Sequence, residues 1–166
     1  YLNTGTHRFM EIAQLAGVAN TDWTWSLKFA DLDEDGWIDL FATNGMNRDW
    51  TNSDLRNLSD QAKTEAEKMK IWLNSPQRRD ANLALRNTGD LRFTSVGSNW
   101  GIGQERVSYG AALADLARDG DLDIIVNNAE EAPGVYRNQS ADSHRVMLRL
   151  QGNQEENRWG IGATIT

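Results

Sequence analysis

The sequence contains no cysteine, only two histidines and no uninterrupted apolar stretch long enough to span a membrane. Without thiols there is neither a disulfide nor a thiolate metal site, although the absence of Cys does not fix the compartment. His7 and His144 lie beside no Ser or Cys nucleophile motif and read as ordinary surface or strand histidines. Positive charge is in deficit. Seventeen Lys and Arg face 24 Asp and Glu, and the net charge of −7 argues against nucleic acid or an anionic membrane as partner. The pairs Gly101-Ile-Gly103 and Gly160-Ile-Gly162 lack a third glycine, so a dinucleotide-binding turn is not expected.

What is present is a globular composition, 39% hydrophobic and 25% charged over 166 residues, enough for one ordinary core. Much of the acidic excess is gathered in Asp31-Leu-Asp-Glu-Asp-Gly-Trp-Ile-Asp39. Asp31, Asp33, Asp35 and Asp39 hold positions 1, 3, 5 and 9, with Gly36 at position 6. Carboxylates so close repel one another unless a cation lies between them, and hard oxygen donors at this spacing suit Ca²⁺. Gly36 supplies the positive φ for a sharp turn, and the carbonyl of Trp37 is available as a further ligand. An EF-hand is excluded, because it needs a bidentate Glu at position 12, where Ala42 stands, and a helix on each side. The flanks Trp25–Phe29 and Ile38–Thr43 instead alternate apolar and polar residues, which predicts strands.

The pattern returns. Tyr1-Leu-Asn-Thr-Gly5 is echoed by Leu85-Arg-Asn-Thr-Gly89 and more weakly by Tyr136-Arg-Asn-Gln139, and Asp31 is echoed by Asp115, giving a period of about 84 residues. The second loop, Asp115-Leu-Ala-Arg-Asp-Gly-Asp-Leu-Asp123, keeps Asp115, Asp119, Gly120 and Asp123 but has Ala117 at position 3. Asp121 at position 7 can supply a side chain, a carbonyl or neither. Losing a carboxylate should weaken Ca²⁺ binding there. Val107, Tyr109, Ala111 and Leu113 alternate before this loop and Leu122–Asn127 follows it, so each unit reads as four short antiparallel strands, a propeller blade.

The first unit carries an insertion over residues 46–80. Leu55, Leu58, Ala62, Ala66, Met69 and Leu73 recur at helical spacing, predicting one amphipathic helix started by Asn52 or Ser53 and ended before Pro76. It either lies on the propeller face or presents a recognition helix. Seven tryptophans are a high count for this length; they read as core packing, with stacking on sugar faces the alternative. Asn57-Leu-Ser59 and Asn138-Gln-Ser140 match the glycosylation sequon by pattern alone. Residues 144–150 alternate as a strand, and Asn157–Thr166 offers a glycine turn followed by another, which places a boundary near residue 141.

The two loops with their strands, Phe29–Leu40 and Leu113–Ile124, resemble the FG-GAP or VCBS-type repeats of integrin-like β-propellers. Asn157-Arg-Trp-Gly-Ile-Gly-Ala163 is similar to the start of the ASPIC/UnbV domain, which follows such propellers in bacterial secreted proteins and in cartilage acidic protein. The resemblance implies an all-β chain of propeller blades over 1–140 and the start of an ASPIC/UnbV-like domain over 141–166. It implies Ca²⁺ at Asp31, Asp33, Asp35 and Asp39, and again at Asp115, Asp119 and Asp123, with Trp37 and Asp121 as further candidates from their loop positions. It further implies an extracytoplasmic, non-catalytic binding or scaffolding role with a protein partner; a glycan partner follows only from the tryptophans, and an accessory subunit of a larger enzyme complex is the remaining alternative. A closed propeller needs more blades than this chain supplies, so the rest of the ring is expected from further sequence or an associated chain.

Overall fold

A computed structural model describes residues 1–140, 148–152 and 157–165. The chain opens with a small hairpin, β1 (Leu2–Asn3) and β2 (Phe9–Met10), followed by a single helical turn, α1 (Ala13–Ala16). Next come β3 (Thr24–Ala30) and β4 (Asp39–Asn44), joined by the first acidic loop. The alternation read from Trp25 to Phe29 is realised, with Trp25, Leu27 and Phe29 on one face of β3. β4 is buried along its whole length, as befits an inner strand flanked on both edges.

The insertion then leaves and returns through one antiparallel bridge. Met46 and Arg78 exchange both backbone hydrogen bonds, at 2.8 and 2.9 Å. Between them lie two helices rather than one, α2 (Ser53–Gln61) and α3 (Glu65–Leu73). The apolar spacing runs on across the break, but Ala62 is extended and Thr64 starts a new helix through a capping box. Its hydroxyl accepts from Glu67 N–H, and the Glu67 carboxylate accepts from Thr64 N–H. Asn52, not Ser53, caps α2. The helices meet through Trp72, whose indole N–H donates to Ser59 Oγ at 3.1 Å and whose ring lies against Trp50.

After the insertion, β5 (Asp80–Ala81), β6 (Leu83–Asn87) and β7 (Phe93–Ser95) follow, then β8 (Glu105–Arg106), β9 (Ser108–Ala114), β10 (Asp123–Asn128) and β11 (Gly134–Tyr136). β3-β4-β6-β7 form a four-stranded antiparallel sheet, β9-β10-β11 a three-stranded one, and β5-β8 a short ladder between them. The structure is thus mostly antiparallel sheet, with a helical insertion in the first large sheet. The core lies between the two larger sheets, where Ala30, Leu32, Phe41 and Ala84 of the first meet Ile124 and Val126 of the second, with Ile102 between.

At one end of this core the polar groups are paired in a chain. Asn44 N–H donates to Asn82 Oδ1, Asn82 Nδ2 to Ser108 Oγ, and Ser108 Oγ to Asn128 Oδ1. All four residues are buried, and satisfied networks of this kind fix one arrangement. Of the expected C-terminal strands, residues 141–147 lie outside the described residues, 148–150 form no strand, and none forms over 163–165. The turn before them is present, with Gly160 N–H on Asn157 O and Ala163 N–H on Gly160 O.

Gly45, directly after β4, marks a tight approach between the sheets. Its φ is +112°, and a Cβ there would stand 2.5 Å from Arg106 O and 2.8 Å from Val107 Cα. Gly45→Ala should therefore cost roughly 2–4 kcal/mol in urea unfolding. Gly110→Ala, which meets open space at an ordinary φ, should change stability by less than about 0.5 kcal/mol.

Candidate metal centre

Side-chain oxygens acting on the backbone shape the first acidic loop. Asp31 Oδ1 accepts from Asp35 N–H at 3.1 Å and Oδ2 from Gly36 N–H at 2.9 Å; Asp35 Oδ1 accepts from Trp37 N–H at 2.9 Å. These bonds hold the chain through two left-handed residues, Glu34 (φ 60°) and Gly36 (φ 91°). Asp39 closes the loop from beneath. Its Oδ2 accepts from Leu32 N–H and its Oδ1 from Asn87 N–H, each at 2.9 Å, tying the loop to β4 and β6 at once.

The loop brings Asp31, Asp33 and Asp39 together, each with a carboxylate oxygen within 4.8 Å of the others. At that separation two full charges repel by roughly 3–4 kcal/mol for an effective dielectric constant near 20. Asp33 Oδ1 is shut off from solvent with no hydrogen-bond donor. Arg86 supplies the opposing charge from the outer side, its Nε at 2.5 Å from Asp33 Oδ2 and its Nη2 at 2.8 Å from Asp35 Oδ2. Hydrogen bonding to Asp35 and the charge of Asp33 push the Arg86 pKa further up. Asp39 is fully buried, and burial pushes its carboxyl above the ordinary range against the pull of its two N–H donors; Asp33 and Asp35 add to the rise. Three hard oxygen donors, one lacking any donor of its own, fit a hard divalent cation such as Ca²⁺.

The remaining expected ligands are placed differently. Asp35 is turned toward Arg86. Trp37 gives its N–H to Asp35 and lays its ring over Gly89, where a Cβ would come within 2.9 Å of it. The second loop repeats the backbone scheme bond for bond. Asp115 accepts from Asp119 and Gly120 N–H, Asp119 from Asp121 N–H, and Asp123 from Leu116 and Asn138 N–H. Arg118 and Gly120 are its left-handed residues. With Ala117 at the third position, however, Asp115, Asp119, Asp121 and Asp123 do not converge as a set of three among the described residues. Arg137 pairs with Asp119 at 3.0 Å, and that hydrogen bond holds the Asp119 carboxyl below its usual range.

Reading the sequence missed Arg86, Asn87, Arg137 and Asn138. Their signal was visible in the repeated Arg-Asn of Leu85-Arg-Asn-Thr and Tyr136-Arg-Asn-Gln, read there only as a marker of the repeat. In each copy the Arg meets the acidic loop, and the Asn N–H meets the buried Asp. Asn138 Nδ2 donates to Leu32 O at 2.7 Å, so this sequon asparagine is occupied as a cross-link between the two loops. No family model and no curated protein matches the chain.

Asp39→Asn should cost about 1–3 kcal/mol, since its amide would face one of two buried N–H donors. The wild-type Asp39 carboxyl should titrate above 3.8 by carbon-13 NMR, and Asp119 below it. The raised folded pKa means that the Asp39 contribution is complete below the unfolded value near 3.8 and is lost as pH rises through the folded one. Asp119 acts oppositely: its contribution is present above the unfolded value and disappears as pH falls through the folded one.

Proposed function

We propose that this chain is a calcium-stabilised segment of an extracytoplasmic β-propeller of the FG-GAP or VCBS type, serving protein interaction or scaffolding rather than catalysis. The observation that carries the reading is the convergence of Asp31, Asp33 and Asp39 with Asp33 Oδ1 lacking a donor. Asp31, Asp33 and Asp39 would hold the ion. When bound, it supplies a divalent charge that neutralises the corner between the first two strands of the sheet. Asp39 fastens that corner to Leu32 and Asn87. The second loop, lacking the third-position acid, is read as a corner that relies mainly on its hydrogen bonds and Arg137.

The blade reading is supported by the antiparallel β3-β4-β6-β7 order and by loops of matching design between the first two strands of both larger sheets. Extracytoplasmic location and the ASPIC/UnbV-like tail rest on the resemblance alone. The expectation that the tryptophans pack in the core fails, since Trp23, Trp25 and Trp37 around the loop are 42%, 51% and 52% exposed; a scaffold is still preferred to a glycan-binding module because two of these rings are engaged within the chain. Trp25 donates to Gly45 O and stands edge-on to Tyr109, while Trp37 covers Gly89.

Calcium at a hundredfold excess over its Kd should add about 2.7 kcal/mol, a rise in Tm of roughly 5–10 °C. Asp33→Ala, which copies Ala117 into the first loop, should abolish most of that rise. Thermal unfolding with Ca²⁺ against EDTA measures both, and an unchanged wild-type Tm would remove the ion from the account.

A further inference from the structure

Arg86, on β6, places its guanidinium between two acids of the first loop. Its Nε stands 2.5 Å from Asp33 Oδ2 and its Nη2 2.8 Å from Asp35 Oδ2, so one side chain holds two neighbouring carboxylates. Among the described residues, Asp31, Asp33, Asp35 and Asp39 make no other ion pair. The converging set of Asp31, Asp33 and Asp39 leaves Asp35 outside, and Asp35 is the acid that Arg86 draws toward itself.

The second corner shows the same arginine without the same convergence. Arg137, like Arg86, stands one residue before the Asn whose N–H meets the buried Asp, and it reaches the acid at position 5, Asp119, at 3.0 Å. Pairing of this arginine with the fifth position is thus common to both loops. The difference is Asp33, which spreads the first guanidinium over a second carboxylate. Arg86 is correspondingly the less exposed of the two, at 45% against 64% of its side chain.

We propose that Arg86 is a tethered counter-ion that competes with calcium for Asp33 and Asp35 and so sets the calcium affinity of the first corner. A guanidinium stays protonated at any working pH, so its charge neutralises part of the loop permanently. A divalent ion has to share Asp33 with it, draw Asp35 away from it and bear the repulsion between two cations. Calcium affinity follows the charge of the ligand set, which Arg86 reduces by one. This rests on the calcium reading of the corner and adds to it the residue that regulates loading.

Calcium binding by the full chain, measured by competition with a chromophoric chelator, tests it. Arg86→Gln should bind Ca²⁺ at least about tenfold more tightly than the wild type. Arg137→Gln, which removes the same charge at the other corner, should change that affinity less than about twofold. Equal tightening by both variants would overturn the proposal, by assigning the effect to net charge. An affinity unchanged or weakened in Arg86→Gln would also overturn it while leaving the calcium reading intact. Calcium bound by Arg86→Gln but not by the wild type would uphold the competition and overturn calcium stabilisation of the natural chain. Binding by neither would overturn both. If Arg86→Gln fails to fold, as judged by circular dichroism, the wild type supplies the readout by nitrogen-15 NMR. Its Arg86 Nε–H signal should move on calcium addition and exchange with water at least about tenfold faster, and a signal unmoved at millimolar calcium would overturn the proposal.

Discussion

A buried carboxylate holding two backbone N–H groups is the tie on which each acidic corner depends. Asp39 and Asp123 open the second strand of their sheets, both buried. Each reaches back to the residue after the loop's first Asp and across to the asparagine that follows the third strand's arginine. One side chain thereby fixes the start of the loop, its own strand and a further segment 48 residues away in the first corner and 15 in the second. Such a group is costly to desolvate and is tolerated because both oxygens are satisfied. It also accounts for the geometry of the rest of the loop. With the base pinned, Asp31 and Asp115 can fold the next residues around themselves, and the left-handed residues fall at the fourth and sixth positions in both loops.

The opposite end of the sheets is held by neutral polar groups instead. Asn44, Asn82, Ser108 and Asn128 run from one sheet to the other, and Thr24 donates to Asn44 Oδ1 as Ser108 does to Asn128 Oδ1. Gly45 lets the backbone pass against Arg106 and Val107 at this point, where no side chain fits. The apolar core between the sheets is therefore clamped by carboxylates at one end and amides at the other. The helical insertion hangs outside this frame through the Met46–Arg78 bridge, which explains how so long an excursion leaves the order β3-β4-β6-β7 intact.

The acidic loops and the strands beside them were legible in the sequence because their determinants are local. An Asp at fixed offset, a Gly two residues from a left-handed position and a period-two flank all act within a dozen residues. Legibility failed where a stronger local signal was masked by a regular one. The apolar stripe through Ala62 continues across a helix break that Thr64 and Glu67 impose. It failed again where partners are distant: the repeated Arg-Asn at Arg86 and Arg137 does not say which loops it serves. The β5–β8 ladder has only two residues on each side, too few for any period to show.

The two loops carry out one mechanical task with different charges, and the difference is informative. In the second, Ala117 leaves fewer converging acids, and Arg137 meets Asp119 alone. In the first, Asp33 adds a carboxylate that no backbone donor needs, since the corner is already closed by Asp31, Asp35 and Asp39. Arg86 spreads over both Asp33 and Asp35, yet Asp33 Oδ1 still lacks a donor. Asp33 thus adds to the local repulsion while its ion pair with Arg86 ties the loop to β6. Three acids converge in the first loop and, among the described residues, not in the second, and that difference is what the metal proposal for the first loop rests on.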